Sequence, residues 1–478
     1  MKVLLINPPS LNEIIGNNPE IIESSRGCNP PLGLLLIAGY LLDNTNHDVN
    51  VIDCQVENIS YKELPKRLCS YEYDIVGITA MTFTIIDVIE TIKVVKNVSP
   101  QTKIVLGGPH VSLFPNETIN LEGVDYLVLG EGEITFTSFL YCLENGIDLK
   151  RVNGLVYKEK DNSIVHTGPP EIIDDLDELS FPARHLTPYQ KYSSLLAKRL
   201  PITTMITSRG CPFKCSFCDR PHLGKKFRAM SAQKVVEEFE EAIKLGIHEF
   251  LVYDDTFTVN INRVKEICNL VIEKKMDIGF DIRARVDTLD EESLSLLKKA
   301  GCRGIHYGIE AGTEKVLKVL RKGITIEKAK EIFVMTKKNG IKTLGYFMIG
   351  APTETLEDIY ETFRVAKWLN PDFMHLTILT PFPGTFLYQD GLIRGVIKRD
   401  YWREFAKNPT KGFSPPFWEE NISKDELKKL IVEGYRSFYL RPSVIMKKIA
   451  SLRSFGEFKR KAKAGLKIFR MKNHNATV

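Results

Sequence analysis

The chain has 478 residues, 43% of them hydrophobic, which is too long for one ordinary domain and enough to bury a core in each of two or three. It opens on MKVLLINPP, which predicts a strand rather than an export signal. Its longest apolar stretch, LGLLLIAGYLL, falls short of the roughly 18 residues that a membrane-spanning helix needs. We therefore expect a cytoplasmic protein, in which nine cysteines serve metal binding or redox chemistry rather than disulfides.

The net charge of +5 comes from one end of the chain. Residues 441–478 hold eleven Lys or Arg and one acid, so this tail carries +10 and the remainder −5. A general affinity for nucleic acid is therefore not expected. Apolar residues recur at three- and four-residue spacing along the tail, which predicts a helix packed on the barrel that residues 201–390 predict (below) or, alternatively, a peripheral contact with the anionic inner membrane surface.

Residues 1–145 alternate short β-branched runs with longer amphipathic ones. This alternation predicts an α/β domain with a Rossmann-like, doubly wound parallel sheet. Such sheets bind ligands at the carboxyl ends of their strands, where the loops here read NPPS, DCQVEN, TAMTF, GGPH and GEGE. A turn explains each glycine on its own, but five such loops together favour a ligand.

Three further segments follow. Residues 146–200 lose the alternation and predict a linker or strap. Residues 201–390 contain six strand-helix units, with strands at ITTMITS, FLVYDD, GFDIRAR, GIHYGIE, TLGYFMIG and FMHLTIL, which predict a partial (β/α)6 TIM-type barrel. Residues 391–478 predict a helical C-terminal region that ends in the basic tail.

Three cysteines stand in CPFKCSFC, after the first barrel strand: Cys211, Cys215 and Cys218. A structural zinc site would need a fourth ligand such as Cys268 or Cys302, which lack the paired spacing of zinc knuckles. Plain burial of the thiols is a second alternative, although a loop flanked by Gly210 and Pro212 is no apolar core. A cubane iron–sulfur cluster held by three thiolates is the third, and it leaves one iron open for another molecule.

This motif resembles that of the radical S-adenosylmethionine (SAM) enzymes, C-x3-C-x-aromatic-C, with Phe217 as the aromatic residue, and the resemblance covers roughly residues 200–390. It implies a 4Fe–4S cluster on the three cysteines, whose open iron chelates SAM. One electron then cleaves the SAM to give a 5′-deoxyadenosyl radical that abstracts hydrogen from unreactive carbon.

The resemblance also implies residues that contact SAM. Arg283 and Arg285 share a strand, where one could face the lumen and meet a carboxylate or the ribose, the alternative being an outer salt bridge. His306 and His375 receive no role, because a core histidine is the commoner outcome. The expected SAM contacts are Phe217, Asp254, Asp255, Arg283, Glu310, Thr313, Ile349 and Gly350.

The first domain resembles the cobalamin-binding domain that precedes the barrel in one large subgroup. It departs from the Asp-x-His-x-x-Gly signature, because Gln55 stands where the cobalt-ligating histidine would be, so we expect cobalamin without a protein axial histidine. Without a ligand, the domain would merely cap the barrel. The expected cobalamin contacts are Pro9, Asp53, Gln55, Thr79, Gly107, Gly108, Pro109, His110, Glu131 and Gly132.

With both cofactors at one cavity, the resemblance implies methylation of an unactivated carbon of a small-molecule or lipid substrate, driven by a one-electron reductant such as ferredoxin or flavodoxin. One alternative is radical cyclisation, C–C coupling or rearrangement in lipid or tetrapyrrole biosynthesis. A second is methylthio transfer with another cluster on Cys28, Cys54 and Cys69. The third is a non-enzymatic iron–sulfur redox or binding module.

Overall fold

A computed structural model describes residues 1–14, 27–69, 72–194, 197–219, 224–444 and 446. The first part of the chain folds into a seven-stranded sheet with strands β1 (Lys2–Asn7), β2 (Asp48–Asp53), β3 (Ile75–Thr79), β4 (Lys103–Gly107), β5 (Tyr126–Val128), β6 (Leu155–Lys158) and β7 (Ile164–His166). The order across the sheet is β2-β1-β3-β4-β5-β6-β7. The first five strands are parallel, and the strand order reverses at β1, so the crevice between the ends of β1 and β3 is the topological switch point.

Helices cover both faces of this sheet. Alternate side chains of β1 are apolar on each face, so each face must be buried under a helical layer. Leu4 and Ile6 belong to one core, whereas Val3 and Leu5 belong to the core on the opposite face. The helices are α1 (Leu32–Asn44), α2 (Cys54–Glu57), α3 (Leu64–Leu68), α4 (Ile85–Val98), α5 (Pro109–Leu113), α6 (Pro115–Thr118) and α7 (Gly132–Glu144).

The first sheet extends into the segment that the sequence predicts as a linker. Strands β6 and β7 form a hairpin that pairs antiparallel with β5. Its turn contains Asn162 at a φ of 66°, a left-handed conformation that asparagine tolerates. These strands are four and three residues long, too short for a clear alternating pattern.

The second part of the chain forms a six-stranded, wholly parallel sheet. Its strands are β8 (Ile202–Met205), β11 (Glu249–Val252), β12 (Gly279–Ala284), β13 (Cys302–Glu310), β14 (Lys342–Ile349) and β15 (Phe373–Ile378), in the order β15-β14-β13-β12-β11-β8. A small antiparallel pair, β9 (Ser208–Arg209) and β10 (Arg228–Ala229), follows β8. The predicted fold class, a doubly wound sheet followed by a partial barrel, is confirmed.

Helices pack on the outer face of the second sheet and continue into the C-terminal region. Ser, Thr, Asp or Asn side chains cap the starts of most of them; Asp290 and Thr355, for example, form capping boxes. The helices are α8 (Ala232–Lys244), α9 (Ile261–Glu273), α10 (Glu291–Lys299), α11 (Glu314–Val319), α12 (Ile326–Lys338), α13 (Leu356–Leu369), α14 (Phe386–Ile393), α15 (Tyr401–Lys407) and α16 (Lys424–Tyr439).

The edges of the second sheet are satisfied by hydroxyl and backbone groups from outside it. The Tyr435 hydroxyl, on α16, accepts from the N–H of Leu376 at 3.1 Å and donates to its carbonyl at 2.9 Å. Tyr439 serves Met374 in the same way, at 2.9 and 2.8 Å. At the other edge, the N–H of Ile202 donates to the carbonyl of Tyr192. The Arg184 guanidinium also donates to the Thr204 carbonyl at 3.1 Å, so both edges have part of their backbone covered from outside the sheet.

Within the described ranges, no helix combines the length and the hydropathy that crossing a bilayer requires. The last residue that the structure describes is 446, so the helix predicted for the basic tail lies outside the described residues.

Replacing Tyr435 by Phe should lower the free energy of unfolding by about 1–3 kcal/mol, because it leaves the N–H and carbonyl of Leu376 buried without a partner. Tyr360→Phe is the control, because its hydroxyl is exposed and reaches only Glu433, at 3.3 Å. Urea unfolding followed by fluorescence, with hydrogen exchange at Leu376, measures the difference. Equal midpoints for the two variants would contradict the edge-capping role of α16.

Candidate active site

The three cysteines lie in the loop between β9 and β10, which we call the cysteine loop (residues 210–227, described for 210–219 and 224–227). The loop begins at Gly210, whose φ of +80° favours glycine. A Cβ there would lie 2.2 Å from the carbonyl oxygen of Lys226, on the returning side of the loop. Glycine therefore lets the two sides of the loop that carries the thiols approach each other near the carboxyl end of β8.

Several contacts fix the cysteine loop to the ends of neighbouring strands and helices. The buried Ser216 donates its N–H to the carbonyl of Leu320 at 3.0 Å, and its own carbonyl accepts from Leu387 at 2.9 Å. The ring of Phe213 lies 3.8 Å from the Arg285 guanidinium carbon, a cation–π contact just past the end of β12. These contacts place the loop over the carboxyl end of the barrel, where parallel-sheet enzymes carry their chemistry.

The surroundings of the thiols suit a cluster. Burial raises the pKa of Cys215, while the nearby cations Lys322 and Arg285 act in the opposite direction and favour the thiolate. Among the described residues, no three His, Cys, Asp or Glu side chains converge on a single ion position. In a cubane cluster each thiolate takes a different iron, so the three sulfurs need not converge on one point. The donor set therefore fits a 4Fe–4S cluster.

Asp254, a predicted SAM contact, is wholly buried beneath the cysteine loop. Its carboxylate accepts from the N–H of Thr207 at 2.6 Å, from the Thr207 hydroxyl at 2.7 Å and from the Ser208 hydroxyl at 2.6 Å. The structure thus gives Asp254 a bracing role immediately before the loop. Its neighbour Asp255 is exposed, so the SAM contact predicted for this pair rests on Asp255.

Glu310 and Thr313 lie where β13 ends. Glu310 is buried at a φ of +74°, a strained conformation for a residue other than glycine, and a register shift marks the strand there. Its carboxylate accepts from the Lys322 ammonium at 2.8 Å, and the pair covers Gly308 on the lumen side. Thr313 caps α11 through the N–H of Val316 at 3.4 Å. Glu310 therefore approaches the predicted cofactor site, whereas the Thr313 hydroxyl serves the helix.

Three more predicted SAM contacts are Phe217, inside the cysteine loop, Ile349, the last residue of β14, and Gly350, which follows it. Phe217 is half-buried against the barrel core, and Ile349 is fully buried in it. Gly350 donates its N–H to Glu354 at 2.6 Å, and Ala351 donates to the same oxygen at 2.9 Å. Burial raises the pKa of Glu354 to about 7, and the loop folds around this carboxyl group through the two backbone N–H bonds.

The predicted cobalamin contacts gather at the carboxyl edge of the first sheet. Asp53 is wholly buried and accepts from the Asn7 amide at 2.7 Å and the Tyr192 hydroxyl at 2.8 Å. Its carboxylate is therefore the centre of a buried hydrogen-bond network rather than a surface ligand. Gln55 remains partly exposed, with its amide donating to the Pro8 carbonyl at 3.2 Å. The side chain that replaces the axial histidine thus sits at the ends of β1 and β2.

The other members of this set divide by exposure. Pro9, His110 and Glu131 are buried, and burial lowers the pKa of His110 to about 3, so its imidazole is neutral and enclosed within the domain. The remaining predicted contacts keep accessible surface at the edge and are Gln55, Thr79, Gly107, Gly108, Pro109 and Gly132.

This edge fits a large neutral ligand such as cobalamin. Gly108 has a φ of +106°, and a Cβ on it would lie 2.9 Å from the Ala80 carbonyl oxygen, so only glycine lets the chain pass this close to the end of β3. The carboxylates of Asp53, Glu131 and Glu133 are all engaged by protein donors. What faces outward is backbone and amide, which matches a corrin ring that carries amide side chains.

The same edge closes the open side of the partial barrel. On one flank Val56, Tyr192, Ile202 and Leu251 form a buried cluster that joins the first domain to β8 and β11. On the other flank, Phe83 packs edge-on against Phe382 and Trp402, with ring centroids 5.8 and 6.0 Å apart. The edge that fits cobalamin and the end that carries the cysteine loop therefore border one lumen.

A buried ionic cluster, which we call the inter-domain quartet (Glu131, Glu133, Arg209 and Arg228), ties this edge to the cysteine loop. Arg209 lies 2.5 Å from Glu133 and 3.0 Å from Glu131, and Arg228 pairs with Glu131. All four side chains are at most 6% exposed. Because Arg209 and Arg228 are on the strands that flank the loop, the quartet sets where the loop sits against the first domain.

The sequence analysis did not identify Lys322 or the inter-domain quartet. Lys322 stands in a loop, RKGI, that carries no motif, and it pairs with Glu310 at the place where β13 shifts register. The sequence marks Arg285 as a candidate lumen residue but not its partner Phe213, although a lone aromatic inside a three-cysteine loop is a usable signal for a stacked cation. The GEGE motif predicts a ligand loop, whereas in the structure its two glutamates supply carboxylates to Arg209 and Arg228.

Changing Glu133 to Gln should destabilise the protein by about 3–5 kcal/mol, because it leaves buried positive charge in the quartet. The cysteine loop should also exchange its backbone hydrogens faster. Glu238→Gln is the matched control: it breaks the buried pair Arg184–Glu238, at 2.5 Å, which involves neither the first sheet nor the loop. Hydrogen exchange at residues 211–218 compares the variants. Equal exchange in both would contradict the positioning role of the quartet.

Comparisons with known proteins agree with this architecture. The model of the Radical SAM superfamily matches residues 205–366, and that of the B12 binding domain matches residues 20–140. Across 94% of the chain and 95% of the relative, the sequence is 34% identical to the "Uncharacterized methyltransferase PH0819" of Pyrococcus horikoshii. It is 29% identical to the anaerobic magnesium-protoporphyrin IX monomethyl ester cyclase of Rubrivivax gelatinosus, over 93% of the chain and 78% of that protein.

Among solved structures, the radical SAM methyltransferase TsrM of Kitasatospora setae, with cobalamin and a 4Fe–4S cluster bound, shares the fold. The TM-score is 0.73 at 16% identity, over 98% of this chain and 100% of that one. The resemblance drawn from the sequence is confirmed, and so are the cofactors it implies: a 4Fe–4S cluster, SAM and cobalamin. The chain belongs to the radical S-adenosylmethionine enzymes that carry an amino-terminal cobalamin-binding domain.

Proposed function

We propose that this enzyme transfers a methyl group to an unactivated carbon of its substrate. The observation that carries the proposal is the shared lumen: the edge that fits cobalamin closes the open side of the barrel, through Val56 on one flank and Phe83 on the other. A radical formed on substrate carbon beside the cysteine loop would therefore form next to the methyl donor. The 34% identical methyltransferase of Pyrococcus horikoshii supports the same reaction type.

The bound cofactors supply the radical and the methyl group, and the chain supplies position and charge. Overall, one C–H bond becomes one C–CH3 bond, and two SAM molecules yield S-adenosylhomocysteine, methionine and 5′-deoxyadenosine. Two electrons are consumed, and a one-electron reductant such as ferredoxin or flavodoxin provides them. In this scheme Lys322 and Arg285 offset the negative charge of the cluster, and Asp255 and Glu310 offer carboxylates to the SAM ammonium group.

The closure of the lumen contributes to the reaction by excluding water. The aromatic contacts of Phe83 and the buried cluster around Tyr192 close its two flanks, so little water would reach a carbon radical inside. Gln55, whose amide donates to the Pro8 carbonyl at 3.2 Å, would be a poor ligand for cobalt if cobalamin bound at this edge, and the cofactor would supply the methyl group.

Radical cyclisation is the second candidate, because a relative 29% identical over 93% of the chain is a cyclase. The two reactions leave different nucleosides. Methylation releases S-adenosylhomocysteine and 5′-deoxyadenosine together, whereas cyclisation by a radical route releases no S-adenosylhomocysteine.

Methylthio transfer has less support in the structure. Its second cluster would need Cys28, Cys54 and Cys69, but Cys54 is buried in the core of the first sheet, Cys28 packs in the cluster around Tyr192, and Cys69 is exposed. Iron analysis separates the cases, with about four irons per chain for one cluster and about eight for two. A purely structural or redox-sensing iron–sulfur module would cleave no SAM.

The purified protein, reconstituted without oxygen and given cobalamin, SAM and reductant, should form both nucleosides, and the ratio should approach one to one with substrate present. Cys215→Ala should abolish the cluster and 5′-deoxyadenosine formation, because one thiolate ligand is lost. Cys69→Ala, which changes an exposed thiol on α3's end, should retain both.

Mass spectrometry of the two nucleosides is the measurement. Formation of 5′-deoxyadenosine with no S-adenosylhomocysteine in the presence of turned-over substrate would refute methylation and favour cyclisation.

Membrane contact through the tail is a separate proposal that rests on its charge of +10. Deleting residues 441–478 should reduce cosedimentation with vesicles containing anionic lipid and leave binding to neutral vesicles unchanged. Unchanged partitioning of the shortened chain would reject the membrane contact.

A further inference from the structure

The lumen face of the barrel sheet is polar. In β12 the side chains of Phe280, Ile282 and Ala284 join the core under the helices, so Asp281 and Arg283 project from the opposite face. The next strands continue this face with His306, Tyr346 and His375, all partly accessible. A neutral lipid would have to displace water from these groups without replacing their hydrogen bonds, which is costly.

The polar groups of this face form a connected row. His306 Nε2 lies 3.8 Å from an Asp281 carboxylate oxygen, and His306 Nδ1 lies 3.3 Å from the Tyr346 hydroxyl. The rings of Tyr346 and His375 follow, with centroids 5.4 Å apart. The row crosses four strands, β12 to β15, and presents both donors and acceptors to whatever occupies the lumen.

Arg283 stands apart from this row. Its guanidinium carbon lies 4.2 Å from the Tyr253 ring centre, and within the described part of the chain the guanidinium has neither an ion-pair nor a hydrogen-bond partner. Arg285, two residues later, is already bound to both oxygens of Asp287, at 2.9 and 2.8 Å, and stacks on the cysteine loop. Of the two arginines, Arg285 therefore lies beside the cluster site, and Arg283 lies deeper, level with His306 in the strand register.

A buried acceptor faces the same place from the first domain. Asn29 donates its amide to the Tyr253 hydroxyl at 3.1 Å, while its side-chain oxygen is buried and has no partner. Tyr253 thus connects an arginine with unused donors to an asparagine with an unused acceptor. Both sit where the first domain meets the lumen, which is where a substrate between the two cofactors would lie.

We propose that Arg283 and Asn29 form a subsite for an anionic group, a carboxylate or a phosphate, on a polar substrate that also carries a hydrogen-bond donor. This inference rests on the proposed function in one respect, which is that the substrate binds in the lumen. A guanidinium stacked on an aromatic ring and short of partners is suited to bidentate pairing with a planar or tetrahedral oxyanion. The substrate class is then a small polar acid rather than a neutral lipid.

Ligand-observed NMR by saturation transfer tests the subsite with three probes: propionate, methylphosphonate and the neutral propionamide. The sample is the holoenzyme with an oxidised cluster and saturating SAM, so no turnover occurs. If Arg283 holds the SAM carboxylate, as the sequence predicts, the anionic probes will find the site taken. The relative affinity of propionate and methylphosphonate identifies the carboxylate or the phosphate as the preferred group.

We expect at least one anionic probe to bind, Arg283→Gln to weaken it about tenfold or more, and Arg283→Lys to restore part of the affinity. Arg399→Gln, which changes an exposed arginine paired with Glu404, should bind as the unchanged protein does. Equal binding of propionamide and propionate, equal binding in Arg283→Gln, or no anion binding with SAM present overturns the subsite. If the unchanged holoenzyme binds the anionic probes but forms no methylated product in the nucleoside and product assay, the proposed function is rejected and the subsite is not.

Discussion

A six-stranded sheet does not close on itself, and this constraint shapes the whole molecule. Eight strands complete a barrel of this type, so six leave two free edges and a gap. Hydroxyls of Tyr435 and Tyr439 satisfy the backbone at one edge, and the carbonyl of Tyr192 meets the other. The gap itself is covered by the carboxyl edge of the first sheet, which is also that sheet's ligand-binding edge. One geometric need thus brings two cofactor sites to a common lumen.

Buried ion pairs hold the first domain and the cysteine loop in a fixed relative position. The quartet of two glutamates and two arginines is costly to desolvate and is no simple gain in stability. Its bidentate geometry nevertheless permits few alternative arrangements, because any shift leaves an unpaired charge in a dry interface. Asp254 works in the same way at closer range, since its carboxylate takes three hydrogen bonds from the two residues before Arg209. Together they fix the approach to the cysteine loop from both sides.

Much of the fold follows from the sequence, because the first five strands of the first sheet and all six of the second are parallel, and these strands are visible as apolar runs between amphipathic helices. The cysteine motif is equally local, since its three ligands stand within eight residues. Contacts between side chains that are far apart in the sequence could not be predicted from such local patterns. The alternation that marks Asp254 as a strand end says nothing of Thr207, 47 residues earlier. Lys322 pairs with Glu310 at the place where β13 shifts register, and the short strands of the 155–166 hairpin carry too few residues to show a period.

The central claim is that one lumen brings both cofactors together, and the magnetic interaction between them measures it most directly. Electron paramagnetic resonance of the holoenzyme, with the cluster reduced and cobalamin as cob(II)alamin, should show each signal broadened or split relative to samples that hold only one of the two paramagnets. Two spectra that add without any mutual broadening would place the cofactors in separate compartments and contradict the account.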